Sequence, residues 1–570
     1  MRLPVAGAAL LITLAALPLG AQQTGSSVLL DTMSSELDRA FHTLGKQPGT
    51  PPEKQLPPYF MSYTAADASF VNMRAQFGAL VDSSSSRVRS ADVQIRLGSP
   101  ALDNTHGTHR SSAVTNINLP MTDDREALAR SFWLATNAGY GTAVDNFLRV
   151  KTEAQVRAKE EDSSPDFSQE KPQVHVDKPA PPIVVDRAAW EKRMRALSAV
   201  FAEFPAIYQN QVSFNVQNET DYLVSSEGSR VATAHLQARV VAVAVTRADD
   251  GMDLFRAQTW EAETADGLPS QQQMEADIRA LGKSLEALRN APVTVPFNGP
   301  AILSGRAAAV FFHEVLGHRL EGQRQRGDEE GQTFTKEIGK DVLPSFLSVT
   351  DDPTKERYGD TFLSGSYTYD DEGEKAQPVE LIKNGVLQTF LMSRLPIASF
   401  SQTNGHGRAQ TGRMPTGRQG NLIVTSSKAE SEADLRKQLI EEAKKQGKPY
   451  GLYFEDISSG FAVTQRSSPQ AFQVIPLVVW RVYIDGRPDE LVRGVGIVGT
   501  PLASMKRILA TGDKSEVFNG ECGAESGTVP VSAVAPAMLL SEIETQRQPQ
   551  GNQRPPILPI PGSPADKEAK

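Results

Sequence analysis

The spacing of apolar positions changes character along the chain. Val28, Leu29, Met33, Leu37 and Phe41 recur every three or four residues, which predicts a helix over 26–44. Residues 59–81 and 88–97 alternate apolar with polar instead, most plainly in Val93-Gln-Ile-Arg-Leu97, and predict strands. Helical spacing returns over 123–159, with a kink expected near Gly139 and Gly141. The charged, Pro-rich stretch 160–182 predicts an exposed connection. A helix over 187–204 follows. Strands over 208–261 then turn at Glu227-Gly228 and Asp250-Gly251, with Val240 to Val245 reading as the most buried. A helix over 270–290 completes a first half of mixed helix and antiparallel sheet.

The second half reads as mainly strand. Val293 to Phe297 is a short strand, Asn298-Gly-Pro300 a turn, and 342–369 carries further strands. Residues 379–390 predict a hairpin about Asn384-Gly385. A Gly- and Arg-rich loop over 404–420 precedes a charged helix over 429–446. Strands are expected at 472–484 and 490–498. A short helix over 502–509 should lead into the Gly-punctuated loop 519–527, then a last strand at 529–534 and a short apolar helix. The Pro-rich tail from Gln546 onward should be disordered. The expected class is α+β, with a mainly antiparallel C-terminal domain. The expected layout is a signal peptide at 1–21, an N-terminal domain at 22–290, a C-terminal domain at 291–545 and a tail at 546–570.

One helix carries chemistry. From Ser304 to Leu320 little breaks an Ala-rich helical run except Gly317, and within it stands His313-Glu314-x-x-x-His318. Two imidazoles and a carboxylate on one helix suit zinc hydrolysis, in which the metal activates water and a neighbouring Glu takes its proton. Histidines at i, i+4 lie about 40° apart on a regular helix, but i, i+5 lies about 140° apart. Convergence therefore predicts a widened turn, such as a single π-turn, eased by Gly317. A third ligand must come from elsewhere. Cys522, the single Cys of the chain, stands in that Gly-punctuated loop as a candidate ligand or nucleophile. A fourth protein ligand, for example His406 or a carboxylate, would instead mark a structural zinc clamp. His106 and His109 could bind metal, although two surface imidazoles in a polar loop are the simpler reading.

Composition narrows the class. The 570 residues are 39% hydrophobic and 22% charged with net charge −9, which argues against a nucleic-acid surface. The start of the sequence reads Met1-Arg2, an apolar run from Val5 to Leu19, then Leu19-Gly20-Ala21. That pattern predicts a secretory signal and a periplasmic or extracellular protein without a stable membrane span. The Gly residues of Arg493-Gly-Val-Gly-Ile-Val-Gly499 do not open a long helix in a βαβ unit, so no dinucleotide site is expected.

Several segments fall in the order seen in a known family. They are the His313-Glu-x-x-x-His318 helix, Asp370-Asp-Glu-Gly373, the Leu381-Ile-Lys-Asn-Gly-Val-Leu387 hairpin, the Gly/Arg-rich loop, and Cys522-Gly followed by Val529-Pro-Val-Ser532. On these segments the second half resembles the TldD/PmbA family of metalloproteases, also called modulators of gyrase. The resemblance implies His313, His318 and Cys522 as ligands of one zinc ion per catalytic subunit, with Glu314 as general base. It implies the catalytic branch, because the inactive partner branch lacks the His-Glu pattern. It also implies cleavage of unfolded or extended peptides, and a homodimer or a heterodimer with an inactive relative. The expected function is a zinc-dependent peptidase. A thiol hydrolase using Cys522 and a non-catalytic zinc-stabilised scaffold or partner subunit are the alternatives.

Overall fold

The computed structural model describes residues 27–46, 55–107, 114–156, 162–326, 331–465 and 472–548, with 467, 558 and 561. The expected signal peptide, His109 and nearly all of the expected tail lie outside these residues. The fold is α+β, built on two large sheets.

The first sheet is centred on the long strands Pro58–Gln76, Ala79–Ser99, Gln209–Ser225 and Arg230–Arg247, paired antiparallel. Strict alternation sends successive side chains to opposite faces. On one face Met61, Tyr63, Val93 and Ile95 meet α1 (Val28–Thr43) and α2 (Arg125–Val156). Val71, Met73, Phe214 and Val240 on the same face meet α3 (Arg187–Ala199) and α4 (Gln271–Asn290). Ser270 caps α4 by accepting a hydrogen bond from the Gln273 amide. The other face is polar and looks toward the second half. This explains why the run from Val240 to Val245 is not fully buried: Val240, Ala242 and Ala244 are inside, while Val241, Val243 and Val245 are half-buried.

In the second sheet Gly527–Arg547 pairs with Ile508–Ala524, Val495–Gly499 and Phe297–Leu303. Phe297–Leu303 also pairs with Tyr450–Ala462, which continues through Phe472–Tyr483 back to Val495–Gly499, so these strands close on themselves. The helix α5 (Gly305–Val315) packs against this ring, and of its residues only Arg306 is not buried. A helix apolar on every side belongs in a core. The charged helix α6 (Glu432–Lys445) covers the outer face of the sheet, where Leu435 and Leu439 pack with Ile302, Ala510 and Leu539, and the short α7 spans Pro501–Met505. The Asn384-Gly385 turn is as expected, both residues having positive φ, 47° and 86°.

Four expectations fail here. Asn298-Gly-Pro300 is not a turn but lies within the strand Phe297–Leu303, where Gly527–Arg547 takes up its backbone. The segment after Val534 is strand, not helix. Its Ala, Met, Leu and Glu residues favour helix, but neighbouring strands take up its backbone hydrogen bonds, and tertiary pairing wins over propensity. The 519–527 stretch is the end of a long hairpin, not a loop: Cys522 pairs with Val529 and the chain turns at Ala524–Gly527. Residues 162–182 are not simply exposed. Phe167 and Asp166 are buried, Val174–Val176 adds to the first sheet, and Arg394 stacks on the Phe60 and Phe167 rings at 4.9 and 4.0 Å. Arg326 holds the same segment by donating to the Ser164 and Pro165 carbonyls and to Asp166. The segment therefore straps the two halves together.

Candidate metal centre

The Ser304 hydroxyl accepts the Ala307 amide at 3.1 Å and starts α5. The helix ends at Val315, where Leu316 departs to φ −111° and ψ −55°. Gly317–Leu320 then forms a single 3₁₀ turn. His313 thus leaves the last turn of the helix, and His318 rides on a separate, tighter turn. The expected widening is absent. The rings converge because the helix axis is broken, and they stand 5.0 Å apart between centroids at 77°. Gly317 is required for packing: an added Cβ would lie 2.0 Å from Gln419 Oε1.

The hairpin brings the third group. His313, His318 and Cys522 each offer a ligand atom, and these atoms all lie within 4.8 Å of one another. All three residues are buried, and Cys522 Sγ is 3.5 Å from His318 Nε2. A tetrahedral zinc site, with Zn–N of about 2.0–2.1 Å and Zn–S of about 2.3 Å, puts N and S about 3.6 Å apart. The donor set and spacing therefore fit zinc. His406 does not join this cluster; its Nε2 faces Asp351 Oδ1 at 3.3 Å and its Nδ1 faces Asn404. The only groups of three His, Cys, Asp or Glu found close enough for an ion among the described residues are these. His106 pairs instead with Asp166 at 2.8 Å.

Electrostatics favour a thiolate beside the imidazoles. Burial by itself would raise the Cys522 thiol, but the charges of His313 and His318 outweigh it and hold it well below its ordinary value. Burial would lower His318, but Glu321 and the thiolate hold it well above. Glu314 sits beside the cluster, its Oε2 at 3.9 Å from His318 Nε2. Gly460 of Tyr450–Ala462 abuts it so closely that an added Cβ would come within 2.7 Å of Glu314 Cγ.

The supporting shell was not legible as such beforehand. Glu321 faces His318 Nδ1 at 3.2 Å and accepts from Arg324 Nε at 2.9 Å. Despite burial, His318, Arg324 and Arg418 pull the Glu321 carboxyl down to about 2. Arg418 also donates to the Cys522 carbonyl at 2.6 Å. The signal available was position: Glu321 lies three residues after His318, and Arg418 belongs to the Gly/Arg-rich loop. A cavity of about 1050 Å³ lies elsewhere, between the polar face of the first sheet and the second half. It is lined by Glu219, Asp221, His235, Asp371 and Glu521 but by none of the three clustered ligands.

Residues 297–547 match the PmbA/TldA metallopeptidase C-terminal domain. In that half the chain is similar to the PmbA/TldD metallopeptidases. A metalloprotease TldD homolog of Haemophilus influenzae is 30% identical over 284 residues, 47% of this chain and 54% of the relative. A zinc metalloprotease TldD homolog of Saccharolobus solfataricus is 26% identical over 246 residues, 43% of this chain and 51% of the relative. A metalloprotease of Methanothermobacter thermautotrophicus is 24% identical, covering 62% of this chain and 73% of the relative. The chain spans about half the length of the first two TldD homologs it matches. Solved structures extend the likeness of fold to nearly the whole chain. TldE from Thermococcus kodakarensis superposes with TM-score 0.57 at 13% identity, over 86% of this chain and 97% of its own. A modulator of DNA gyrase from Thermotoga maritima superposes with TM-score 0.58 at 13% identity, over 90% and 99%. The His313–His318–Cys522 cluster lies inside the residues that match the metallopeptidase C-terminal domain.

Proposed function

We infer that the protein is a zinc-dependent peptidase of the catalytic TldD-like kind, acting on unfolded or extended peptides. The observation that carries this reading is the three-donor cluster, two imidazoles and one thiolate, with the Glu314 carboxylate next to it. Three protein ligands leave a fourth position for solvent, as catalytic zinc sites do. Zinc held by His313, His318 and Cys522 would polarise the scissile carbonyl and acidify water. Glu314 then receives the proton of the attacking water and returns it to the leaving amine. Glu321 fixes the tautomer of His318 by taking up its Nδ1 proton in a hydrogen bond. The substrate backbone has a place to lie. Tyr450–Ala462 pairs with Phe297–Leu303 only at residues 452–454, so the edge running past Gly460 toward the site is free to accept another strand among the described residues. Binding through backbone hydrogen bonds gives weak sequence selectivity.

The experiment is a Glu314→Ala variant assayed on unfolded casein beside metal analysis. The variant should keep zinc at one ion per chain and lose hydrolysis. Casein cleavage at the wild-type rate would refute the role of Glu314. The 3.5 Å contact of Cys522 with His318 also suits a thiol nucleophile with an imidazole base. A chelator separates the two: it stops a metallopeptidase and spares a thiol hydrolase. We infer that its partner is a second chain of the same family.

A further inference from the structure

Two buried arginines just after the helix break reach the end of the strand that borders the site. Arg319 donates to the Glu314 and Val315 carbonyls at the C-terminus of α5, and to the Val463 carbonyl at 3.1 Å. Arg324 spreads its guanidinium in three directions. Its Nε donates to Glu321 Oε2 at 2.9 Å, its Nη1 to Thr464 Oγ1 at 2.9 Å and its Nη2 to Glu525 Oε2 at 2.8 Å. The Gly331 amide adds a hydrogen bond to the Thr464 carbonyl at 2.7 Å.

Each of these three ends belongs to a different part of the site. Glu321 faces the far nitrogen of His318. Glu525 lies in the turn of the hairpin that carries Cys522, and Gln323 also donates to it, at 2.9 Å. Thr464 stands two residues beyond Tyr450–Ala462, the strand whose edge passes Glu314 at Gly460. The guanidinium is a planar fork, so partners on its several sides fix one another's positions, which the single point charge of a Lys does not do. A buried charge left without its partner is costly. The contacts of Arg324 therefore form and break as a set.

We propose that Arg324 is a positioning residue that joins the peptide-receiving strand to the zinc ligands, so that zinc and an extended peptide each strengthen the binding of the other. This deepens the peptidase reading and rests on it. A peptide paired along 455–462 steadies 463–464, and Arg324 passes that order to Glu321 and to the turn beyond Cys522. Linkage makes the effect reciprocal: zinc favours the peptide by the factor with which the peptide favours zinc.

Zinc affinity of the full chain, read by competition against a chromophoric chelator, tests the link without any catalysis. Thr464 is not a ligand, yet Thr464→Val should weaken zinc by about fivefold or more, as ordinary couplings between sites do. Arg324→Met should weaken it by about 10–100-fold. Arg324→Lys should fall between, because it keeps the charge and loses the fork. In the Arg324→Met background, adding Thr464→Val should change nothing further, a non-additivity that independent structural damage does not give. In the Glu314→Ala background, zinc should tighten the binding of fluorescein-labelled casein, and Arg324→Met should cut that gain by about fivefold or more. Wild-type zinc affinity in Thr464→Val, equal effects of Thr464→Val in the two backgrounds, or a zinc gain on casein undiminished by Arg324→Met overturns the proposal. Casein left uncleaved by the wild type, while the zinc measurements come out as expected, counts against the peptidase reading alone.

Discussion

Glu321 is the residue on which the imidazole geometry turns. It is fully buried, yet it keeps its charge because His318, Arg324 and Arg418 surround it. A carboxylate on the far nitrogen of a ligating histidine sets the tautomer and raises ligand basicity. Replacing it by an isosteric amide keeps the volume and removes the charge. Glu321→Gln should weaken zinc binding by about 10–100-fold, read by competition against a chromophoric chelator. An unchanged affinity would show that Glu321 serves packing only. The Glu314→Ala variant should behave oppositely, losing hydrolysis and retaining metal, so the pair separates ligand support from proton transfer.

At the scale of elements, the break after Val315 matters more than the helix. A regular helix through Leu320 would carry His318 around the cylinder, away from His313. Stopping α5 and starting a 3₁₀ turn lets the second ring swing back. Gly317 permits this because Gln419 occupies the space that a side chain would take. Gly317→Ala should therefore displace either the turn or Gln419, at a cost of about 1–3 kcal/mol, and lower zinc content in the purified protein. A variant with wild-type zinc and an unchanged Tm would show that the turn has room to spare. The long hairpin Ile508–Ala524 with Gly527–Arg547 is the second decisive element. Pairing Cys522 with Val529 orients its sulfur toward the helix, while Glu521 lines the large cavity between the halves.

At the scale of the whole molecule, the two halves are held by a polar junction. Arg394 pairs with Glu227 at 2.8 Å and donates to the Ser168 carbonyl, and the Gly412 amide donates to Asp92. Glu374 lies at this junction. Burial, with Glu170, Glu372 and Glu227 nearby, pushes its carboxyl up to about 7 despite Arg394. A carboxyl raised in the folded state binds its proton more tightly there than in the unfolded chain, whose value is about 4.3. Its contribution is intact below about pH 4 and is lost as pH rises toward 7. Glu374→Gln should remove this loss. Its Tm should exceed the wild-type Tm at pH 8 and approach it at pH 5, measured by calorimetry. Equal shifts at both values would mean that Glu374 is ionised in the fold without penalty.

The residue pattern was enough to mark the α+β class, the helices α1, α3 and α4, and the Asn384-Gly385 turn, because these follow from local periodicity and capping. It also singled out His313, Glu314, His318 and Cys522, since those residue types are scarce and their chemistry narrow. Local pattern misread the turn at Leu316, the strand after Val534 and the surroundings of Cys522. In each case the deciding interaction is with residues far along the chain: Gln419 against Gly317, the Phe297–Leu303 strand against Gly527–Arg547, and Val529 against Cys522. Propensity is worth tenths of a kcal/mol per residue, whereas buried backbone groups must find partners wherever the fold supplies them. That is why the donor types could be read from the chain alone, and why their meeting within 4.8 Å was settled only by the packed sheet around them.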